Sequence, residues 1–224
     1  MNVSLHTILV KRIDRTIEAL RANRMDACFV ETRQDALEKI KSLLPSGGVV
    51  SHGGSVTLAE IGVPQLLKEG GYRYLDRAKP NLTREEIQQI YRDTFSADVF
   101  LTSTNAITER GELYNVDGNC NRVAALLFGP KSVIVVAGYN KIVANIDEAA
   151  QRVKRIAAPA NAVRLDCETY CRAAGQCVSL KDGSSDICSG CGSDARICCN
   201  YVISAMQREK GRIKVILVGE PLGY

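Results

Sequence analysis

The sequence contains no tryptophan and only two histidines, and aromatic residues make up 5% of its 224 positions. No apolar run approaches the roughly 18–20 residues needed to span a bilayer, which argues against a membrane protein. Lysine and arginine are scattered along the chain, and the aromatic motif of ribonucleoprotein domains is absent. The net charge of +4 is therefore weak evidence for nucleic acid. We expect no nucleic-acid partner and no membrane partner.

Hydrophobic residues make up 46% of the chain and charged residues 24%, as is usual for a soluble globular protein. The length suits one sizeable domain, which we place at residues 1–224. Residues 1–20 alternate apolar and charged positions without a small-residue cleavage site, so they predict a helix and not a signal peptide. We therefore expect a cytoplasmic protein.

Predicted strands and helices alternate along the chain. Apolar periodicity predicts a first helix over residues 3–23, and Thr32 and Thr83 are predicted to cap later helices. The segment AITERGELYNV predicts a hairpin around Arg110 and Gly111. KSVIVVAG is wholly apolar, which is typical of a buried parallel strand, and a final strand is predicted at about 212–219. The pattern predicts an α/β fold with a mostly parallel sheet flanked by helices.

Amides and cations surround the two apolar runs between residues 103 and 141. Leaving a buried amide unpaired costs roughly 1–3 kcal/mol, so amides beside buried strands usually build a site. We predict a binding pocket from Asn105, Asn119, Asn121, Arg122 and Lys141. In an extended strand, Asn119 and Asn121 would point to one side and the cysteine between them to the other. The alternative is turn chemistry, which Asn, Asp and Gly also favour.

Arg122 and Lys141 have separate alternatives. Arg122 is suited to a bidentate clamp on a substrate carboxylate, or else to a structural ion pair with Asp117 or Glu112. Lys141 follows the apolar strand VIVVAG, at the end where open α/β sheets bind ligands. Its alternative is a solvated surface lysine.

The segment SHGGS places two glycines between a predicted strand and a predicted helix. Backbone N–H groups of Gly53 and Gly54, with the Ser55 hydroxyl, could receive an anion there. Thr57 and Glu60 are three residues apart and share a helix face, so Glu60 joins the predicted site. A plain turn followed by a Ser55 N-cap is the alternative.

Seven of the nine cysteines fall between Cys167 and Cys199, in a cysteine-rich insertion at about 167–200. The spacings are C-x5-C, C-x2-C and C-x6-C, at Cys171, Cys177, Cys188, Cys191 and Cys198. In a cytosolic chain such clustering favours a metal over disulfides, and the Gly, Ser and Asp around it make a poor apolar core. Thiolates suit either zinc or an iron–sulfur cluster, and no ferredoxin spacing matches.

Three segments together resemble the lactate utilization (LUD) domain family: SHGGSVTLAEIG, STNAITERGELYNVDGNCNRVAALLFGPKSVIVVAGYNK and GRIKVILVGEPLGY. The resemblance covers nearly the whole chain and implies a fold of the NagB/RpiA/CoA-transferase type. It also implies a link to bacterial L-lactate oxidation, which works with iron–sulfur partners.

Family members of the cysteine-bearing subgroup resemble the pattern TPC-x5-C-x2-C followed by CN. This chain keeps TYC-x5-C and RICCN, but ten residues separate Cys177 from Cys188. The resemblance therefore implies Cys171, Cys177, Cys191 and Cys198 as metal ligands. Cys188 or Cys167 could replace one of these four.

The resulting functional hypothesis is an iron–sulfur redox component, expected to hold a 4Fe-4S cluster, with zinc as the alternative. It would act on or sense a small carboxylate such as lactate. A flavin or iron–sulfur partner subunit is expected, because no G-x-G-x-x-G fingerprint follows a strand. The last predicted strand of this chain, at about 212–219, could line the interface of a homo-oligomer.

Two other functions stay open. A CoA-transferase-like or cyclo-ligase-like enzyme would need a nucleophilic glutamate, for which Glu60 and Glu109 are candidates. A metabolite-binding regulatory module would use the metal centre as a structural element only.

Overall fold

Six parallel strands form the central sheet of the computed structural model, which describes residues 2–181, residue 183 and residues 186–224. In sheet order they are β1 (Asp26–Val30), β10 (Ile213–Val218), β7 (Ser132–Gly138), β4 (Val99–Thr102), β2 (Val49–His52) and β3 (Arg73–Tyr74). Every neighbouring pair is parallel. The buried, parallel position predicted for KSVIVVAG is confirmed, because β7 lies between β10 and β4.

Helices cover both faces of this sheet. The α-helices are α1 (Val3–Ala22), α2 (Arg33–Leu43), α3 (Val56–Ile61), α4 (Val63–Glu69), α5 (Arg84–Asp93), α6 (Asn121–Leu127), α7 (Ile146–Arg152), α8 (Ala158–Arg164) and α9 (Tyr170–Ala174). A π-helical segment, Val153–Ala157, joins α7 to α8. The caps predicted at Thr32 and Thr83 are confirmed, and each is a complete capping box.

The two apolar layers follow from the period-2 alternation of the buried strands. Val133 and Val215 point to the face covered by α1 and α6, where they pack with Ile13 and Leu20. Their neighbours Ile134 and Ile216 point to the opposite face, against α2, α3 and α4. The predicted α/β class, a mostly parallel sheet flanked by helices, is confirmed.

The sequence predicted one sheet, but the structure also contains a second, four-stranded sheet. Its order is β8 (Ile142–Val143), β5 (Ala106–Thr108), β6 (Leu113–Asp117) and β9 (Asn200–Ser204). The predicted hairpin is confirmed as the antiparallel pair β5–β6. Strand β9 was missed, and it pairs with β6 across more than 80 positions of sequence. Local alternation identifies a strand but carries no information on its partner.

A third apolar cluster joins this small sheet to α7, the π-helical segment and α8, and it contains Tyr114, Val116, Ala149 and Val153. This packing sets the helices beside the carboxyl edge of the large sheet. Within the described residues, no helix is long and apolar enough to cross a membrane.

Candidate functional site

A cleft opens at the carboxyl edge of the six-stranded sheet, where open α/β sheets bind ligands. The segments that follow β2, β4 and β7 line one side of it, and α8 and residues 194–199 also line it. Seven of the nine predicted binding residues line the cleft: Gly54, Ser55, Asn105, Asn119, Asn121, Arg122 and Lys141. The tertiary structure therefore brings together residues that are separated by up to 87 positions of sequence.

The electrostatic character of the cleft is basic. Among the described lining residues, the basic ones are Arg77, Arg122, Lys141, Arg164 and Arg196, and the acidic side chains are Asp117 and Asp194. Asp117 is already paired with Arg122, at 3.3 Å between Oδ2 and Nε. The remaining positive charge favours an anionic ligand.

Arg122 is buried at the base of the cleft, with 13% of its side chain exposed. Its Nη1 donates to Asn115 Oδ1 at 2.5 Å, and its Nη2 donates to the Val116 carbonyl at 2.8 Å. Weaker contacts of 3.4 Å reach Ser103 O and Asn105 Oδ1. Burial lowers the pKa of the guanidinium, and the Asp117 carboxylate opposes that shift. The ion pair proposed from sequence is therefore present, and Arg122 joins the segment between β4 and β5 to strand β6.

Lys141 is also buried, with only 3% of its surface exposed. Its Nζ donates to Thr57 Oγ1 at 2.9 Å and to Ser103 Oγ at 3.0 Å. Burial lowers the pKa of the ammonium to about 7, and the nearby charges of Arg152 and Arg122 act in the same direction, while Glu60 opposes them. Lys141 is thus not a solvated surface lysine, and a large fraction of it is a neutral amine near pH 7.

The glycines of SHGGS let two arginine side chains approach the backbone. A Cβ at Gly53 would lie 3.0 Å from Arg122 Cγ, and one at Gly54 would lie 2.5 Å from Arg77 Nη2. Ser55 Oγ accepts the Leu58 N–H, so the predicted N-cap is present. The Gly53 side of this turn faces Arg122 and does not line the cleft.

Neither candidate glutamate nucleophile lines the cleft. Glu60 accepts the Gly223 N–H at 2.7 Å, which holds the chain end beside α3. Glu109 forms ion pairs with Arg12 and Arg15 of α1. Glu60 influences the site through its charge near Lys141 and makes no contact with the cleft surface.

The extended conformation predicted around Asn119 and Asn121 is wrong. Residues 118–120 form a bend, and Cys120 has a positive φ of 63° as it precedes helix α6. The predicted separation of the side chains is nevertheless present, because Asn119 and Asn121 line the cleft and Cys120 does not. A bend into a helix separates alternate side chains here as a strand would have done.

A second, smaller cavity lies beside the cleft and is lined by the four predicted ligands Cys171, Cys177, Cys191 and Cys198. Cys171 lies in α9, Cys177 follows that helix, Cys191 lies in the following loop, and Cys198 precedes β9. All nine cysteines are free thiols. Residues separated by up to 27 positions thus converge on one space.

The electrostatics of Cys198 reflect that convergence. Burial, together with the neighbouring Cys171, Cys177 and Cys191, raises the pKa of its thiol to about 12, and Arg196 opposes this shift. A raised pKa keeps the Cys198 thiol protonated near pH 7. Within the described residues, no three His, Cys, Asp or Glu side chains are close enough to hold a single metal ion. The thiols instead surround a space.

Arg196 organises the loop that carries these cysteines. Its guanidinium donates to the carbonyls of Cys198 at 2.8 Å, Cys191 at 3.1 Å and Cys188 at 2.7 Å. It also donates to the Tyr201 hydroxyl at 3.2 Å. One side chain therefore binds three backbone carbonyls of a segment that has little regular secondary structure among its described residues.

Of the two alternative ligands, Cys188 lies beside the cavity, between the lining residues Ile187 and Ser189. Cys188 is exposed, and neither it nor Cys167 lines the cavity. The Cys167 thiol is directed to the Leu165 carbonyl, at 3.8 Å. Cys199 lines the cleft and not the cavity.

Tyr114 supplies an independent observation on the cavity. It is fully buried in β6 and lines the cavity, and its hydroxyl has no hydrogen-bond partner in the structure. An unpaired buried hydroxyl costs roughly 1–3 kcal/mol, so such a group usually has a partner. A group that fills the space between the thiols and accepts a hydrogen bond would satisfy it. The cavity therefore contains one polar group that no described residue satisfies.

The cleft and the cysteine cavity share a wall. Val153, Ala158, Arg196, Ile197 and Cys198 line both. The π-helical segment that starts at Val153 lies in this wall, and such segments are frequent at functional sites. A group bound at the thiols would be a close neighbour of a ligand in the cleft.

Sequence reasoning missed several residues of these sites. Ser103 follows the buried strand β4, and the strand-end rule that identified Lys141 could have found it. Arg196 and the unpaired Tyr114 hydroxyl carry no sequence signal, because their roles depend on contacts made only in three dimensions.

Comparison with known proteins gives a family and a set of similar structures. The sequence model of the LUD domain matches residues 13–218. A DUF162 family protein from Deinococcus radiodurans is 16% identical, with 95% of this chain and 98% of that chain covered and a TM-score of 0.48. A comparison with curated proteins found no significant match.

Two further structures are similar over half of the chain. Ribose 5-phosphate isomerase from Plasmodium falciparum is 15% identical, covers 50% of this chain and 52% of that one, and has a TM-score of 0.32. The eIF2B beta protein from Chaetomium thermophilum is 17% identical, covers 50% and 43%, and has a TM-score of 0.33.

Proposed function

Since this chain belongs to the LUD domain family, which is related to lactate utilization, we propose that it is an iron–sulfur redox component acting on a small 2-hydroxy carboxylate such as lactate. The metal centre is held by Cys171, Cys177, Cys191 and Cys198, and the carboxylate is held in the adjoining cleft. The observation that carries the proposal is the convergence of these four thiols on a cavity that shares a wall with a basic cleft.

The donor set supports a cluster more than a single zinc ion. Four thiols and Tyr114, whose hydroxyl is unpaired, line one space, and a cluster with its own sulfide atoms would both fill such a space and accept a hydrogen bond. When bound, the cluster supplies one-electron transfer. The chain itself would position it, since Arg196 fixes the carbonyls of two of the ligands.

The cleft contributes positive charge and amide groups. Its basic lining attracts a carboxylate, and the amides of Asn119 and Asn121 are placed to bind polar groups of the substrate. Transfer of a hydride equivalent needs a further acceptor, so a flavin-bearing or iron–sulfur partner subunit belongs to this proposal.

Metal analysis tests the cluster. Protein purified without oxygen is expected to be brown and to contain iron and acid-labile sulfide in equal amounts, about four of each per chain for a 4Fe-4S cluster. Cys191→Ser and Cys198→Ser should lose most of the iron, whereas Cys28→Ser and Cys188→Ser should keep it. Cys28 is a matched control, because it is a half-buried thiol in β1, away from the cavity. Colourless protein with stoichiometric zinc would contradict the redox proposal.

Calorimetric titration with L-lactate tests the cleft. We expect saturable binding that weakens about tenfold in Asn121→Ala, which corresponds to about 1.4 kcal/mol for a lost hydrogen bond to a charged group. Gln89→Ala, on the outer helix α5, should bind as the wild type does, since α5 contributes no buried residue. Equal binding by both variants, or no binding at all, would exclude this use of the cleft.

A further inference from the structure

The surroundings of Lys141 differ from those of a lysine that only binds an anion through its positive charge. Its Nζ is hydrogen-bonded to two neutral hydroxyls, those of Thr57 and Ser103, while lining a cleft that already contains other cations. Glu60, whose charge acts on Lys141, uses its Oε2 to accept the Gly223 N–H.

Lys154 offers a comparison within the same chain. It is buried to a similar degree, at 5% exposed, but its Nζ donates to the Asp186 carbonyl at 2.6 Å and it does not line the cleft. Lys141 therefore combines burial, access to the cleft and neutral partners. A lysine desolvated beside other cations is the type that acts as a nucleophile toward carbonyl carbon.

We propose that Lys141 forms an imine with a 2-oxo acid bound in the cleft, which is the two-electron oxidation product of a 2-hydroxy acid. This inference rests on the carboxylate-binding part of the proposed function, and it does not need the metal centre. Pyruvate, the oxidation product of lactate, is the simplest member of the class.

The reaction is an addition followed by loss of water. The neutral amine of Lys141 attacks C2, a C–N bond forms, and the carbonyl electron pair moves to oxygen, which takes up a proton. The nitrogen supplies that proton and then a second one to the same oxygen, its electron pair forms the C=N bond, and the C–O bond breaks as water leaves. No oxidant or reductant is consumed. The Ser103 and Thr57 hydroxyls, within 3.0 Å of Nζ, are placed to carry the protons.

The charges around Lys141 set the pH range of this reaction. Burial favours the neutral amine most strongly, and the charges of Arg152 from α7 and Arg122 from α6 favour it too. The charge of Glu60 from α3 favours the protonated form. Because the pKa of Lys141 is about 7, the rate of imine formation should rise as pH increases through about 7 and then level off. An ordinary lysine would show this rise near pH 10.

The test is reductive trapping on the full chain. Protein is incubated with pyruvate and sodium cyanoborohydride, and the adduct is located by peptide mass spectrometry. We expect one dominant adduct, at Lys141, that is lost in Lys141→Arg and retained in Lys154→Arg. L-lactate, which has no carbonyl group, should slow the trapping at least tenfold when it saturates the cleft.

Each result separates the imine from the wider proposal. No adduct, or an adduct spread evenly over several lysines, overturns the inference. If lactate still binds in the titration, the proposed function survives that failure. An adduct at Lys141 in protein that holds no iron would uphold the imine and remove the redox function. Peptide mapping of the wild type decides the matter even if Lys141→Arg does not fold.

Discussion

Arg122 both lines the cleft and forms hydrogen bonds with the segments that surround it. The planar guanidinium presents donors in fixed directions, and they meet Asp117, Asn115, Val116 and the segment after β4. These partners come from strand β6 and from the segment that follows β4. The same side chain that lines the cleft therefore also holds the cleft together, and a lysine has too few donors in too different a geometry to do the same.

Replacing Arg122 with methionine should lower the free energy of unfolding by about 3–5 kcal/mol, because it leaves the buried Asp117 carboxylate without its partner. Urea denaturation followed by circular dichroism measures this change. Arg15→Ala is the control, since that arginine is 61% exposed and its ion pair with Glu109 should contribute at most about 1 kcal/mol. Similar losses in the two variants would show that the buried network is not what stabilises this region.

At the scale of elements, the β5–β6 hairpin packs directly on the first helix. The turn residue Gly111 has a φ of +79°, and a Cβ placed on it would lie 2.5 Å from the carbonyl carbon of Ala19 in α1. The turn therefore needs glycine for two reasons, the positive φ and the close approach of two backbones. Asn23, which follows α1, also donates to the carbonyls of Arg110 and Gly111.

Gly111→Ala should destabilise the protein by more than about 2 kcal/mol, because strain at positive φ adds to a steric clash with α1. Gly47→Ala is the matched control: its φ is +66°, and nothing lies within 4 Å of the added Cβ. Gly47→Ala should lower the free energy of unfolding by about 1 kcal/mol, which is the cost of the positive φ alone. Thermal unfolding of the two variants compares them, and an equal shift in Tm would exclude the packing contribution.

At the scale of the whole molecule, the protein combines a helix-covered sheet with a cysteine segment whose described residues have little regular secondary structure. The six-stranded sheet is covered by helices on both faces, whereas residues 167–199 contain one five-residue helix and one short 3-10 helix among the described residues. Ligands that bind only the folded arrangement stabilise it. Binding at the thiols should therefore order that segment far more than the sheet.

Hydrogen–deuterium exchange of metal-loaded and metal-free protein tests this difference. On loading, amides of residues 167–199 should become protected at least tenfold, while β7 and β10 should change little, because their opening already requires disruption of the main core. Cys198→Ser should exchange like the metal-free protein under loading conditions, and Cys28→Ser like the loaded protein. Uniform protection over the whole chain would instead indicate that the metal stabilises the global fold.

The sequence alone determined the parts of this protein that depend on local patterns. Apolar alternation and capping residues identified the α/β class, the buried strand β7 and the helices that begin after Thr32 and Thr83. The residue types of the cleft were also readable, because amides, an arginine and a lysine follow buried strands. The cysteine spacings predict a thiolate centre, and they leave Cys188 as an alternative to one of the four named ligands.

Only the tertiary structure decided which residues meet. The pairing of β6 with β9, the wall shared by the cleft and the cavity, and the position of Cys188 outside that cavity depend on contacts between distant segments. The altered protonation of Lys141 is of the same kind, since it arises from burial and from charges on α6 and α7. Local patterns encode which face of an element is apolar. Long-range packing selects its neighbours, and those neighbours set the chemistry of the side chains.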